Sequence, residues 1–484
     1  MLFVRAAQNP EAFDDGLRRA APGAVGIDAG AVEAFLDDVE QAGLDLHGLM
    51  LHRHGHVAAE AWWWPYRADR PRVMHSVAKS VTACAIGFAL EEKHFALTDK
   101  VVSFFPGFLP SRVDANLAAM TVEDLLTMRI GHAAETSGAL WRGIESSWIA
   151  EFFKIPVVHP PGAAHVYTSA ASYMLSAILT EATGQTLHDY LRPRLFAPLG
   201  IAGEHWDVGP DGINPGGNGL TCRTADILKL GVLHAQKGVW NGRRLLPEAW
   251  IADATRAHGE GGYGYHWVVR EEGSFAALGV FVQMALVFPQ AGATLAIMGA
   301  MEQSGQILPL IDRYFPAAFK DGPIAVGAAD DSLRARLARS TEVRSLVSAA
   351  KGWPDGVSGV WYLAQPNETG ITALRCDFAD GGCRFFLRDA RGEYQIAAAL
   401  GDWLESETDM PGRDLHHGYS LPSARVVAGA RWLNEVTLEM TWIFVETAFR
   451  DTVTLRFEGD RMTYDRRVNV NTAALSQPKV VAYR

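Results

Sequence analysis

The stretch His75-Ser76-Val77-Ala78-Lys79-Ser80-Val81-Thr82-Ala83-Cys84-Ala85-Ile86-Gly87-Phe88-Ala89-Leu90-Glu91-Glu92 decides how this chain reads. From Val77 to Leu90, small and apolar side chains occupy almost every direction of a 3.6-residue period, the pattern of a helix buried all round. At its start stand Ser76 and Lys79. Residues at i and i+3 lie one above the other on a helix, so the hydroxyl and the amine come within hydrogen-bond reach. Apolar burial favours an uncharged lysine, which can take a proton from a hydroxyl. The N–H groups of a helix N-terminus stabilise an alkoxide and, later, an oxyanion. Ser76 and Lys79 are therefore a candidate nucleophile and base.

A Ser-x-x-Lys match alone is also what an N-cap serine followed by a surface lysine produces. The chain contains three such matches: Ser76 to Lys79, Ser348 to Lys351 and Ser476 to Lys479. The second runs into Gly352-Trp353-Pro354, which ends a helix, and the third contains Pro478. Only Ser76 heads a long apolar helix.

Outward from this helix, residues Gly48 to Trp63 read as a β-hairpin around Arg53-His54-Gly55-His56. Downstream, helical patterns cover Thr121 to Met128, Ala170 to Thr183, Thr186 to Leu195 and Thr224 to Gln236, with loops at Pro160-Pro161-Gly162 and Pro215-Gly216-Gly217. Strand patterns return at Tyr263 to Arg270, Ser274 to Phe288 and Ala293 to Ala300. Strands at both ends of a helical middle predict an α+β domain over residues 1–320, in which the early hairpin and the late strands share one sheet. Residues 321–354 read as a linker carrying a charged surface helix. Residues 355–484 read as a separate all-β domain, a sandwich or small barrel.

A run of further elements makes the reading specific. His75-Ser76-Val77-Ala78-Lys79-Ser80, Leu125 to His132, Pro161-Gly162 and Tyr167-Thr168-Ser169-Ala170-Ala171-Ser172-Tyr173 resemble the penicillin-binding protein and class C β-lactamase superfamily, and within it the CubicO-type serine hydrolases. The likeness continues through Thr186, Tyr190, Pro198-Leu199-Gly200, Gly216-Gly217, Gly219-Leu220, Asp226, Gly238 to Gly242, Leu246-Pro247 and Tyr263-Gly264-Tyr265, and so covers roughly residues 45 to 315. It implies an antiparallel sheet with an all-helical subdomain. The C-terminal strands look similar to a β-domain appended in related proteins.

The family's second catalytic element is Tyr-x-Asn, and of the twelve tyrosines only Tyr167 is followed two residues on by Asn or Ser. The resemblance thus implies Tyr167 as a proton shuttle between Ser76, the leaving group and the deacylating water. Ser169 stands at the place of the asparagine that contacts a substrate amide. The third element, normally Lys-Thr-Gly or His-x-Gly on an edge strand, is reduced to Ala277-Leu278-Gly279, with Gly279 permitting close approach of an acyl group. The N–H of Val280 would then join that of Ser76 in an oxyanion hole. A cation at this element binds the carboxylate of penicillins and cell-wall peptides in the superfamily. Alanine cannot, which points away from β-lactamase or D,D-peptidase activity and towards neutral esters or amides, peptides included.

The expected reaction is hydrolysis through an acyl-enzyme on Ser76. Acyl transfer or peptide cyclisation through the same intermediate is the alternative, and a non-catalytic binding protein on the same fold is a rival of another class. A formal charge of -11 and the lack of a Lys/Arg run argue against nucleic acid and anionic lipid as partners. The Met1 to Arg5 terminus lacks the apolar stretch of a secretory signal, so a cytoplasmic location is expected, without a transmembrane helix. His52, His54 and His56 straddle the predicted turn and should diverge. No metal and no cofactor is expected, since HExxH, Walker A, GxGxxG and CxxC patterns are missing. Cys84, Cys222, Cys376 and Cys383 are expected as free thiols. The partner expected is a small-molecule or peptide substrate, and the sequence leaves room for a homo-oligomer.

Overall fold

The computed structural model describes residues 13–484 except 351, 380, 421 and 422. The Met1 to Arg5 terminus, Lys351 of the second Ser-x-x-Lys match and Asp380, between Cys376 and Cys383, lie outside the described residues. The chain forms two compact units, one of Phe13–Ala61 and Ala68–Arg339, the other including Trp62–Arg67 and Ser340–Arg484.

The first unit is built on a seven-stranded sheet. Its strands are β1 (Arg18–Arg19), β2 (Leu46–Arg53), β3 (His56–Trp62), β4 (Val268–Val269), β5 (Phe275–Gly279), β6 (Gln283–Phe288) and β7 (Ala293–Gly299). Their order is β1-β3-β2-β7-β6-β5-β4, antiparallel throughout except for the parallel edge pair of β1 and β3. The hairpin and the late strands thus share a sheet, joined by β2 and β7, where Leu51 faces Leu295. Strands β2, β6 and β7 are buried at every position, which requires cover on both faces.

Alternation along β6 shows how that cover is arranged. Ala285 and Val287 meet helix α4 (Thr224–Ala235) at Gly231, where a Cβ would lie 2.7 Å from Thr294 Cγ2. Phe288 points the other way and stacks on Phe315 of α5 (Leu308–Ala318), which in turn packs edge-on against Phe35 of α1 (Ala29–Gln41). Between sheet and helices runs α2 (Val77–Glu91), with thirteen of its fifteen residues buried, beside α3 (Ser169–Thr183).

Two expectations change here. The helix assigned to the linker forms as α6 (Ala328–Ala338), but it packs on α1: Leu333 is buried, and Arg336 pairs with Asp37 and Glu40. It belongs to the first unit. The strand expected over Tyr263 to Arg270 is reduced to β4, because the segment turns back on itself, bridging Tyr263 to Val268 with His266 at φ +60°. Among the described residues no group of three or more His, Cys, Asp or Glu is placed to hold a metal ion.

The second unit carries ten strands: β8 (Tyr362–Ala364), β9 (Ala373–Ala379), β10 (Gly382–Arg388), β11 (Glu393–Leu400), β12 (Trp403–Thr408), β13 (Ala424–Asn434), β14 (Thr437–Phe444), β15 (Arg450–Glu458), β16 (Arg461–Val468) and β17 (Val480–Tyr483). Their order is β11-β10-β9-β8-β17-β16-β15-β14-β13-β12, and pairing of β11 with β13 closes the sheet into a barrel. Of the two forms expected, the barrel is the one adopted. Closure removes the free edges that an open sheet would expose. Phe385 stacks on Tyr464 inside it, and the buried Asp451 accepts from Arg466 and contacts His416. All four cysteines are free and buried.

Candidate active site

Ser76 occupies the N-cap of α2, yet its side chain makes no capping hydrogen bond. The hydroxyl is left for Lys79, whose Nζ lies 3.0 Å from Ser76 Oγ. The same Nζ donates to Ser169 Oγ at 3.1 Å and to the Gly217 carbonyl at 2.9 Å. An ammonium has three N–H groups and here faces three oxygens. A neutral amine would keep two of these bonds as a donor and receive the Ser76 proton through its lone pair. Lys79 is 1% exposed, whereas Ser76 is only half-buried, so the pair opens to solvent on the serine side. The surface-lysine alternative does not describe this residue.

Gly217 explains the Gly216-Gly217 element. A Cβ there would lie 3.2 Å from both Lys79 Nζ and Ser172 Cβ and 3.4 Å from Ser169 Cβ, so only a glycine lets the carbonyl meet the amine without pressing on α3. Thr82 Oγ1 donates to the neighbouring Gly216 carbonyl, which fastens this loop to α2. Beneath the lysine, Ser172 Oγ contacts His266 Nε2 at 3.0 Å, and Ser80 Oγ donates to the His266 carbonyl at 2.7 Å. Burial, with the nearby Lys79 charge, pushes the His266 imidazole down to about 3, so it is neutral. Neither His266 nor Ser172 was singled out from sequence, since one histidine in an aromatic run gives no signal of where it packs.

Tyr167 meets Lys79 with its ring: Nζ lies 4.8 Å from the ring centroid. The side chain is 40% exposed and packs edge-to-face on Tyr263, whose own phenol is raised by burial and by Tyr167. Ser169 begins α3. Its N–H donates to Glu135 Oε2 at 2.8 Å, while Glu135 Oε1 accepts from the Ser137 N–H and hydroxyl. Ser169 therefore touches the Lys79 amine directly. Glu135 also went unnoticed in the sequence, being one carboxylate in a polar loop.

The third element sits against the segment that leads into Ser76. A Cβ on Gly279 would come 2.5 Å from the Met74 carbonyl and 3.3 Å from His75 Cβ. The close approach that the structure shows at this glycine is to the backbone leading into Ser76. Ala277 is fully buried and paired with Ala285, so its side chain offers a substrate no surface, contrary to the expectation for it. After β5 the chain reverses through Val280, Phe281 and Val282, and Val280 is half-buried. Among the described residues, neither the Ser76 nor the Val280 N–H donates a backbone hydrogen bond. Gln283 holds the turn, its amide reaching the carbonyls of Phe281 and Gly299 at 3.2 Å each.

A serine, a buried lysine and a glycine strand end in this arrangement coincide with a sequence match: the profile described as Beta-lactamase covers residues 36–306. The chain belongs to the beta-lactamase family. Among curated relatives it is 27% identical over 258 residues to penicillin-binding protein 4 of Amycolatopsis lactamdurans, covering 46% of this chain and 64% of that one. The chain spans less than two thirds of the length of the curated relatives it matches. Its fold is similar to that of a penicillin-binding protein homolog from Caulobacter crescentus, with a TM-score of 0.50 and 18% identity over 60% of this chain and 97% of that one. It is equally similar to EstCE1, described as a hydrolase with promiscuous acyltransferase activity, with a TM-score of 0.50 and 17% identity over 59% of this chain and 97% of the other. Among the described residues no helix is long and apolar enough to cross a membrane.

Proposed function

We propose that this beta-lactamase-family protein is a serine hydrolase that cleaves uncharged esters or amides, small peptides included, through an acyl-enzyme on Ser76. The observation that carries the reading is the 3.0 Å contact between Lys79 Nζ and a Ser76 hydroxyl that caps nothing. The Ser76 proton passes to Lys79 Nζ as Oγ attacks the carbonyl carbon. The N–H groups of Ser76 and Val280 receive the oxyanion, and a second hydroxyl returns a proton to the leaving atom. Water then repeats the sequence on the acyl-enzyme. The apolar Ala277-Leu278-Gly279 strand end, which carries no cation, supports a substrate without a carboxylate beside the scissile bond.

A p-nitrophenyl ester and a fluorophosphonate probe test this. The expected result is turnover of the ester and a covalent adduct mapped to Ser76, both lost in Ser76→Ala. An unlabelled Ser76 together with no ester turnover would sink the hydrolase reading and leave the non-catalytic binding protein in its place.

A further inference from the structure

A lone exposed leucine means little, but two large apolar side chains brought together beside a reacting group ask for an occupant. Leu140 is 73% exposed and Val208 62%, and each stands on a segment that is fastened to a partner of Lys79. Leu140 belongs to a single helical turn, Gly138–Trp141, with Ser137 at its N-cap. Ser137 Oγ accepts from the Ala170 N–H at 2.8 Å, next to the Ser169 hydroxyl that meets Lys79 Nζ. Val208 follows Asp207, whose N–H donates to the Gly219 carbonyl at 3.0 Å, and Trp206 Nε1 donates to the Asn218 carbonyl at 2.9 Å. Asn218 and Gly219 directly follow Gly217, whose carbonyl also meets Lys79.

The two segments rest on one floor. Trp141, beside Leu140, packs on Trp148 and Tyr173. Gly209, beside Val208, lies so close to the Trp148 ring that a Cβ there would come within 3.3 Å of it. Asp211 locks the floor by accepting from the Trp148 N–H and the Tyr173 hydroxyl. Arg142 and Asp207 lie within electrostatic range of each other, which brings the segment just after Leu140 against the one just before Val208. The three floor rings are buried, whereas Leu140 and Val208 are left in water.

We propose, on the basis of the hydrolase reading above, that Leu140 and Val208 form an acyl-chain subsite, so that the substrates are esters or amides of an apolar acid of medium length. From Ser76 Oγ through Lys79 and Ser169 to this helical turn the path is on the order of 10 Å, beyond an acetyl group and within reach of an extended aliphatic or aromatic acyl chain. The acyl group stays on Ser76 through both half-reactions, whereas the leaving group departs after the first. Apolar contact with the acyl part therefore serves acylation and deacylation alike. No charge is needed on that chain, since the Arg142 and Asp207 charges at the rim offset each other.

The test is a chain-length series. p-Nitrophenyl acetate, butyrate, hexanoate and octanoate are assayed with the full-length parent, with a Leu140→Ser, Val208→Ser double variant and with a conservative Leu140→Met, Val208→Ile double variant, with thermal melting as the check on folding. Covering one methylene completely is worth about fourfold, so the parent kcat/KM should rise about two- to fourfold per methylene from butyrate to octanoate. The serine pair should lower the octanoate-to-acetate ratio by about tenfold or more, and the conservative pair should keep it. In a second arm, acetate esters of lengthening alcohols should give the same length dependence in all three proteins. A flat acyl series in the parent, a ratio that the serine pair leaves as it was, or an alcohol series that flattens in place of the acyl one overturns the subsite. A parent that neither turns over the acetate nor forms a fluorophosphonate adduct on Ser76 instead overturns the hydrolase reading on which the subsite rests.

Discussion

Replacing Gly279 by alanine separates the strand end's structural work from its chemical work. The new Cβ would stand 2.5 Å from the Met74 carbonyl oxygen, a backbone atom that cannot rotate away. Restoring an ordinary carbon–oxygen contact requires the end of β5 to retreat from the Ser76 segment by roughly 0.7 Å, a shift in the range where misplacement costs about 10² in rate. If Val280 supplies one of two oxyanion donors, its withdrawal should lower kcat on a p-nitrophenyl ester by about 10²- to 10³-fold with little change in KM. Overpacking should also cost about 1–3 kcal/mol, read as a melting temperature lower by a few degrees. Gly231→Ala is the control. Its Cβ would meet Thr294 Cγ2 at 2.7 Å on the α4 side of the sheet, so it should lose comparable stability and keep its kcat. The reasoning fails if Gly279→Ala melts lower but turns over at the parent rate, or if both variants lose activity in proportion to their stability.

Three further outcomes follow from other contacts. Gly217→Ala places a methyl 3.2 Å from Lys79 Nζ, and should lower ester turnover about tenfold or more with unchanged secondary structure by circular dichroism; parent-like turnover would remove the Gly217 carbonyl from the site. Burial holds His52, His132 and His234 down to about 4 and His266 to about 3, so the unfolded chain binds more protons below pH 6.5 and stability falls with acid. At pH 5 each costs about 2 kcal/mol relative to pH 8. Asp226, pushed up to about 6 by burial, works the other way and returns about 1 kcal/mol. Calorimetry from pH 8 to 5 should show a melting temperature that falls steeply below 6.5, and a flat profile would contradict the burial of these rings. In the barrel, burial alone would raise the Asp451 carboxyl, but Arg466 and His416 outweigh it and hold the group below its usual range. Asp451→Ala should cost about 3–5 kcal/mol by leaving Arg466 buried and uncompensated, measured by urea unfolding; a loss under about 1 kcal/mol would mean that the charge escapes to water.

The parts of the fold legible in the sequence are those whose burial is local. Helix α2 shows itself because apolar residues cover every face, and β7 because its apolar run starts cleanly after Gly292, whereas Ser274 to Phe288, which reads as one strand, divides into β5 and β6 at the turn of Val280, Phe281 and Val282. Helix α6 reads as part of a linker because its buried apolar residues, Leu333 and Leu337, make too short a stripe to stand out among its charges. Trp62–Arg67 groups with the barrel, where Trp64 lies edge-on to Trp403, a partner more than three hundred residues away that no local pattern can announce. The Tyr263 to Arg270 segment has the composition of a strand. Gly264 overrides it, since a Cβ there would come 2.1 Å from the Ala254 carbonyl, and the chain must turn.

The site divides in the same way. Ser76 and Lys79 could be read because both lie on one helix at fixed spacing, whereas Ser169, Gly217 and Glu135 arrive from three other segments and meet only in the fold. The turn beyond Gly279 is the hardest part to foresee. Phe281 and Val282 both adopt positive φ, +63° and +66°, a conformation that a β-branched valine avoids and that glycine or asparagine would take freely. Holding them there costs about 1–3 kcal/mol per residue, so the surroundings must impose it. Three contacts do: Gln283 binds the Phe281 carbonyl, the Phe281 ring packs edge-on against His75, and Gly279 lies against Met74. The last two tie the turn to the residues immediately before Ser76, and the first braces it from within. The strain therefore lies immediately after Val280 and against the segment that leads into Ser76, where the proposed oxyanion hole would need a fixed backbone.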